Sequence, residues 1–114
     1  MKKINTGHIS DILEYIGYIE EFIVDDASNK DTFKDKRTEL AIIRCFEVIG
    51  EATKRIDQDF KTKYPQVPWK QMAGFRDVLI HDYERLLPEM IWKTVKDDLP
   101  PLKQQLLEIL KNEQ

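Results

Sequence analysis

Ile9-Ser10-Asp11-Ile12-Leu13-Glu14-Tyr15-Ile16-Gly17-Tyr18-Ile19-Glu20-Glu21-Phe22-Ile23 decides the fold class. Ile9, Ile12, Leu13, Ile16, Ile19 and Ile23 recur at steps of three or four, the period of a helix with one apolar face, and Glu14, Glu20 and Glu21 fall outside that face. An amphipathic helix is expected over about residues 7–25, and so wide an apolar face needs partner helices. Downstream, Asp25-Asp26-Ala27-Ser28-Asn29-Lys30-Asp31 has turn chemistry and no periodicity, and reads as a connection. A second helix is expected from about Asp35 to Gln58, burying Ile42, Ile43, Phe46, Ile49 and Ile56. Gly50 falls inside it, where glycine costs roughly 1 kcal/mol relative to alanine; close approach of another helix or an irregularity of this one would account for it. Tyr64-Pro65-Gln66-Val67-Pro68 breaks the pattern, and Pro68 suits the first turn of a third helix that carries Met72, Phe75, Leu79 and Ile80 up to about His81. Leu87-Pro88 marks another start, and Pro100-Pro101 fit the first turn of a last helix with Leu102, Leu106, Ile109 and Leu110 inside. The expected architecture is all-α, an antiparallel four-helix bundle with an additional short helix, in a single domain over residues 1–114.

Length and composition agree. The 114 residues suffice for one core and are too few for a second fold, and 41% hydrophobic with 34% charged residues is the composition of a folded helical chain. Cys45, the single cysteine, lies in an apolar stretch and reads as a buried thiol more than a reactive one, which fits a reducing cytoplasm. The amino-terminal residues lack the apolar run of a secretory signal, and no segment approaches the ~20 apolar residues of a membrane span. Net charge is −3, unevenly spread: residues 1–29 hold two Lys against six acids, whereas residues 30–63 hold nine Lys or Arg against seven. A polyanion must therefore find a local basic surface. Arg44, Lys54 and Arg55 on the second helix could extend such a groove, although a solvated helix face explains them as well.

Chemistry concentrates in Gly74-Phe75-Arg76-Asp77-Val78-Leu79-Ile80-His81-Asp82-Tyr83, where five ionisable or phenolic groups fall between Arg76 and Tyr83. Asp77 and His81, four apart, share a helix face, so the carboxylate is expected to orient the imidazole. Arg76 and His81 are five apart, about 140° around an ideal helix, and converge only if the helix loosens near His81 or Arg76 uses its full reach. On spacing alone, Arg76 could equally pair with an acid on a neighbouring helix while His81 caps a helix end. His8 and His81 are far apart and no Cys or His cluster has ligand spacing, so no metal site and no cofactor are expected. Trp69 and Trp92 could stack on bases, but their amphipathic setting favours packing.

Arg76-Asp77-x-x-x-His81-x-Tyr83 resembles the RxxxxHxY signature of the HEPN superfamily, in particular the HepT-like toxins grouped as DUF86. Ile49-Gly50-Glu51-Ala52, Pro68-Trp69, Ala73-Gly74-Phe75-Arg76, His81-Asp82-Tyr83, Ile91-Trp92 and Leu99-Pro100-Pro101-Leu102 stand in the order such proteins show, over most of the chain. The resemblance implies a homodimeric, metal-independent endoribonuclease toxin, paired with an MNT-type nucleotidyltransferase antitoxin. It implies Arg76 and His81 as catalytic residues, Asp77 as their support, and Tyr83 as the site of AMPylation by the antitoxin. RNA carries its own nucleophile in the 2'-hydroxyl, so a proton acceptor, a proton donor and a cation suffice for cleavage. If the helix continued past His81, Tyr83 would return to nearly the face of Arg76, and an attached phosphodiester would meet the guanidinium. The competing class is a non-catalytic helical dimer that binds a nucleotidyltransferase or its substrate.

Overall fold

The computed structural model describes residues 2–25, 33 and 35–114. The expected connection at residues 25–31 lies, from Asp26 onward, outside the described residues. Helix α1 spans Lys2–Asp25, α2 Lys36–Arg55, α3 Gln58–Lys63 and α4 Trp69–His81; a 3-10 turn, Tyr83–Arg85, follows. The chain then runs as α5 Pro88–Lys93, a π-helical turn Thr94–Asp98 and α6 Leu99–Asn112. No strand occurs among the described residues, so the all-α expectation holds.

The isoleucine face of α1 supplies the centre of the core. Ile9, Ile12, Ile16 and Ile19 are buried against Ile42 and Ile49 of α2 and Leu106 and Ile109 of α6. Each such side chain withdrawn from water contributes about 1.5–3 kcal/mol before entropy is counted. Helix α1 packs on α2 and α6, and α2 packs on α4. Contacts at the helix ends give the directions. Asn5 at the start of α1 bonds Asp57 just past the end of α2, and Glu20 near the other end of α1 pairs with Lys103 early in α6. Neighbouring helices are therefore antiparallel.

Two helix boundaries differ from expectation. The helix expected over residues 35–58 stops at Arg55, Ile56 is extended, and a separate helix starts at Gln58. Asn5 produces this break: its side-chain oxygen accepts from the Asp57 backbone N–H at 3.1 Å and its amide donates to the Asp57 carboxylate at 3.2 Å. The same clamp fixes the start of α1, which begins earlier than the apolar periodicity indicates. In the carboxy-terminal half, Pro100 and Pro101 stand in the first turn of α6, as expected. They cannot donate to carbonyls one turn earlier, and the wider π turn just before them absorbs the mismatch, with the Leu99 N–H donating to the Thr94 carbonyl.

Asp35 caps α2, accepting from the Thr38 N–H at 2.8 Å. That bond holds its carboxyl below the usual range. Both tryptophans are packed inside. The Trp69 indole donates to the Tyr64 carbonyl at 2.9 Å, and the Trp92 ring meets Phe33 edge-on at 5.2 Å, so neither offers a face to a base. Burial pushes the Cys45 thiol up to about 11, which makes it inert at neutral pH. No helix among the described residues is long and apolar enough to cross a membrane.

Gly50 is a point of close approach. A Cβ there would lie 2.1 Å from the Cβ of Arg76, 2.8 Å from its Cγ and 3.1 Å from the Met72 carbonyl oxygen, so α4 could not seat where it does. We predict that Gly50→Ala destabilises the fold by about 1–3 kcal/mol, the usual cost of overpacking. Gly17→Ala, where nothing lies within 4 Å of the added methyl, should instead be neutral or stabilising by about 0.5–1 kcal/mol. Equilibrium urea unfolding of both variants decides it; equal midpoints would show that α2 and α4 can separate without cost.

Candidate active site

The site is built on the seam between α2 and α4. Met72, Phe75 and Leu79, at steps of three and four, turn toward α2, and Phe75 meets Phe46 edge-on with centroids 5.1 Å apart. This packing lays the stem of Arg76 across Gly50. The guanidinium then emerges between two carboxylates: Nη1 donates to Asp77 Oδ1 at 3.1 Å, and Nη2 lies 3.8 Å from Glu51 Oε2. Arg76 Nε is buried with no partner among the described residues.

The network continues on both sides. Asp77 Oδ1 also accepts from Lys54 Nζ at 2.5 Å, and Glu51 Oε1 lies 3.6 Å from Arg55 Nη2. Lys54, Asp77, Arg76, Glu51 and Arg55 thus alternate in sign, three cations to two carboxylates, leaving one net positive charge. The pairs are partly exposed, so each adds only about 0–1 kcal/mol of stability. Their consequence is placement: Arg76 is aimed before any ligand arrives. Hydrogen bonds from Lys54 and then Arg76 hold the Asp77 carboxyl below its ordinary value of 3.8.

Asp77 and His81 do share a face, but the expectation that Asp77 orients the imidazole fails, because that carboxylate is already engaged by Lys54 and Arg76. His81 is the last residue of α4, exposed, and its ring has no partner among the described residues. Nor does the helix loosen before it: the Asp82 N–H still donates to the Val78 carbonyl at 2.8 Å. Arg76 reaches toward α2 while His81 faces solvent, so one chain does not bring the two together.

Tyr83 departs further from expectation. The helix ends at His81, Asp82 has φ −131° and ψ 28°, and the chain turns so that Tyr83 docks on the first turn of α2. There its hydroxyl accepts from Lys36 Nζ at 2.7 Å and donates to Glu39 Oε2 at 3.2 Å. Glu39 and Gly50 are eleven residues apart on α2, about 16 Å along the axis. Tyr83 therefore does not share the face of Arg76.

Of the three candidate groove residues, Lys54 and Arg55 stand at the two ends of the Arg76 network. Arg55 also lines, with Arg44, a cleft of about 430 Å³ between α1 and α2, together with His8, Asp11, Glu14 and Glu51. Opposite charges are mixed there, and Arg44 Nη1 pairs with Glu47 at 3.3 Å. Sequence reading missed the roles of Glu51, Lys36 and Glu39. Gly50 beside Glu51 was the available signal for the first, and the three-residue step from Lys36 to Glu39 for the other two. Among the described residues, no group of three or more His, Cys, Asp or Glu side chains has a metal-binding arrangement.

The sequence profile of the family described as Ribonuclease HepT-like matches residues 12–109. The chain belongs to the HepT-like ribonuclease family. Named relatives agree along nearly their whole lengths. A Thermococcus cleftensis protein named "probable ribonuclease HepT" is 46% identical over 103 residues, covering 90% of this chain and 93% of its own. A Methanocaldococcus jannaschii protein named as a "putative RNase" is 44% identical over 97% of this chain and 91% of its own. A Caldanaerobacter subterraneus protein with the same kind of name is 39% identical over 89% and 93%. No solved structure matches the chain. Within this HepT-like fold, the matched span contains the whole α2–α4 seam.

The Asp77 contacts carry a pH consequence. A depressed carboxyl pKa means that its pairing is complete at neutral pH and is lost as pH falls through a value below 3.8. Carbon-detected NMR titration should find the Asp77 midpoint below 3.8, and Lys54→Ala should raise it. An unchanged midpoint in that variant would refute the Lys54 contact.

Proposed function

We propose that this HepT-like protein is a metal-independent endoribonuclease toxin of a HEPN/MNT toxin–antitoxin pair, acting on RNA in the cytoplasm as a homodimer. The observation that carries this reading is the α2–α4 seam itself: in a chain of this family, Arg76 is wedged at Gly50 with its guanidinium aimed outward, and His81 stands exposed at the end of the same helix.

The chemistry follows from these groups. His81 takes the proton of the RNA 2'-hydroxyl, whose oxygen attacks the adjacent phosphorus. The 2'-oxygen–phosphorus bond forms, the 5'-oxygen–phosphorus bond breaks, and a second imidazole returns a proton to the leaving oxygen. Arg76 bears the charge of the phosphorane. Asp77 and Glu51 hold the guanidinium, and phosphate displaces one of them on binding. Because Arg76 and His81 leave α4 in different directions, one chain does not complete the site. Apolar Val78, Ile80, Leu87 and Met90 are exposed around His81, and a twofold contact there would set two copies of the motif face to face. Lys54, paired with Asp77 beside Arg76, adds a second cation next to the guanidinium for holding RNA phosphate.

Purified protein should therefore cut RNA in EDTA and leave 2',3'-cyclic phosphate ends. His81→Ala and Arg76→Ala should each lower the rate by about 10² to 10⁴ while remaining folded. Dependence on added Mg²⁺ would refute the mechanism, and retained activity in both variants would refute the site. RNA held without cleavage would assign the fold to a non-catalytic binding module.

The antitoxin reading concerns Tyr83. A cognate nucleotidyltransferase with ATP would transfer AMP to the phenol oxygen, releasing pyrophosphate and placing a phosphodiester two residues from His81. Intact-mass spectrometry with peptide mapping after co-expression should find AMP on Tyr83 and none on Tyr15, Tyr18 or Tyr64. Modification elsewhere, or full neutralisation of Tyr83→Phe, would show that antitoxin binding and not Tyr83 chemistry controls the protein.

A further inference from the structure

Glu39 is a carboxylate that the cleavage chemistry does not use, and its side chain is only 8% exposed. A buried charge must be paired, and the partners it has chosen are specific. Its Oε2 accepts from Lys36 Nζ at 3.1 Å and from the Tyr83 hydroxyl at 3.2 Å. Lys36 Nζ donates in turn to the Tyr83 oxygen at 2.7 Å and sits 5.3 Å from the ring centroid. The three groups close a triangle, each bonded to the other two, across a sequence separation of 47 residues. Contacts with Tyr83 and Glu39 hold the Lys36 ammonium above its ordinary pKa.

The position of this triangle matters more than its strength. Tyr83 opens the 3-10 turn directly after α4, two residues beyond His81, and its ring packs on the core. Leu79, two residues before His81, is buried. His81 is thus held between two anchors, and with no partner for its ring, the backbone at the end of α4 sets where the imidazole stands. The last turn of any helix has carbonyls without helical partners and frays unless tied down. Remove the tie at Tyr83 and His81 belongs to a loose helix end.

We infer that Lys36 and Glu39 form, with the Tyr83 hydroxyl, a latch that positions His81 for catalysis. This rests on the reading of His81 as a catalytic residue, and it assigns positioning roles to two α2 residues outside the motif. The latch also couples Tyr83 to His81. A phosphodiester on the phenol oxygen would remove its donor hydrogen and set an anion against Glu39, so modification would open the latch and release the end of α4.

The two histidines of the chain make a direct test possible. In uniformly labelled full-length protein, the imidazole signals are assigned by His8→Gln, then compared in wild type, Tyr83→Phe and Glu39→Gln. Tyr83→Phe keeps the ring in the core and removes only the hydroxyl. The expected result is that His81 signals move from their wild-type positions, and amides of residues 80–83 exchange at least about tenfold faster, in both variants. His8 signals and core α1 amides should stay unchanged. In parallel, kcat for RNA cleavage should fall by about 10- to 100-fold with KM within about twofold, since a misplaced base impairs the chemical step and not binding. Unaltered His81 signals in Tyr83→Phe would overturn the latch even if Glu39→Gln fails to fold. Equal loss of protection in α1 would also overturn it, reducing the triangle to general packing. Wild-type protein that cuts no RNA would instead refute the ribonuclease reading, with the NMR comparison still deciding the latch.

Discussion

A missing methyl group at Gly50 governs the geometry of the functional half of this protein. Without a Cβ there, the backbone of α4 can seat against α2 so closely that the first carbons of Arg76 occupy the space a side chain would fill. From this contact follow the edge-on meeting of Phe46 and Phe75, the burial of Leu79 and the outward aim of the guanidinium. The cost of glycine in a helix interior, about 1 kcal/mol, is offset by the packing that only glycine permits.

The charge network on the seam explains how an acidic protein can hold a basic site. Arg76 sits between Asp77 and Glu51, and these in turn hold Lys54 and Arg55. Such alternation lets three cations stand close together without mutual repulsion and leaves a single positive charge to the outside. The arrangement favours a ligand with two or more anionic oxygens, which can replace a carboxylate at Arg76 and still satisfy its donors.

Helix boundaries carry the rest of the design. Asn5 bonds the backbone N–H and the carboxylate of Asp57 between α2 and α3, and Tyr83, just past the end of α4, docks on Lys36 and Glu39. In each case a side chain distant in sequence is bonded next to the point where a helix stops.

The amphipathic period of Ile9 to Ile23 and the prolines at 68 and 88 determined, from sequence alone, the all-α class and the approximate helix series. These are local matters: a 3.6-residue period and a ring without an N–H. The segment from Arg76 to Tyr83 was also legible as the chemical centre, since its ionisable groups exceed what a core helix uses. Close approach at Gly50 could be suspected but not distinguished from irregularity, for the sequence does not say what crosses there. Only the tertiary structure decided that Asp77 turns to Lys54 and Arg76 and not to His81, that Arg44 and Arg55 face another cleft, and that Tyr83 leaves the Arg76 face. Each of these is a choice among partners that spacing alone leaves equal, and it is settled by which side chains other helices bring within about 3 Å, the reach of a hydrogen bond.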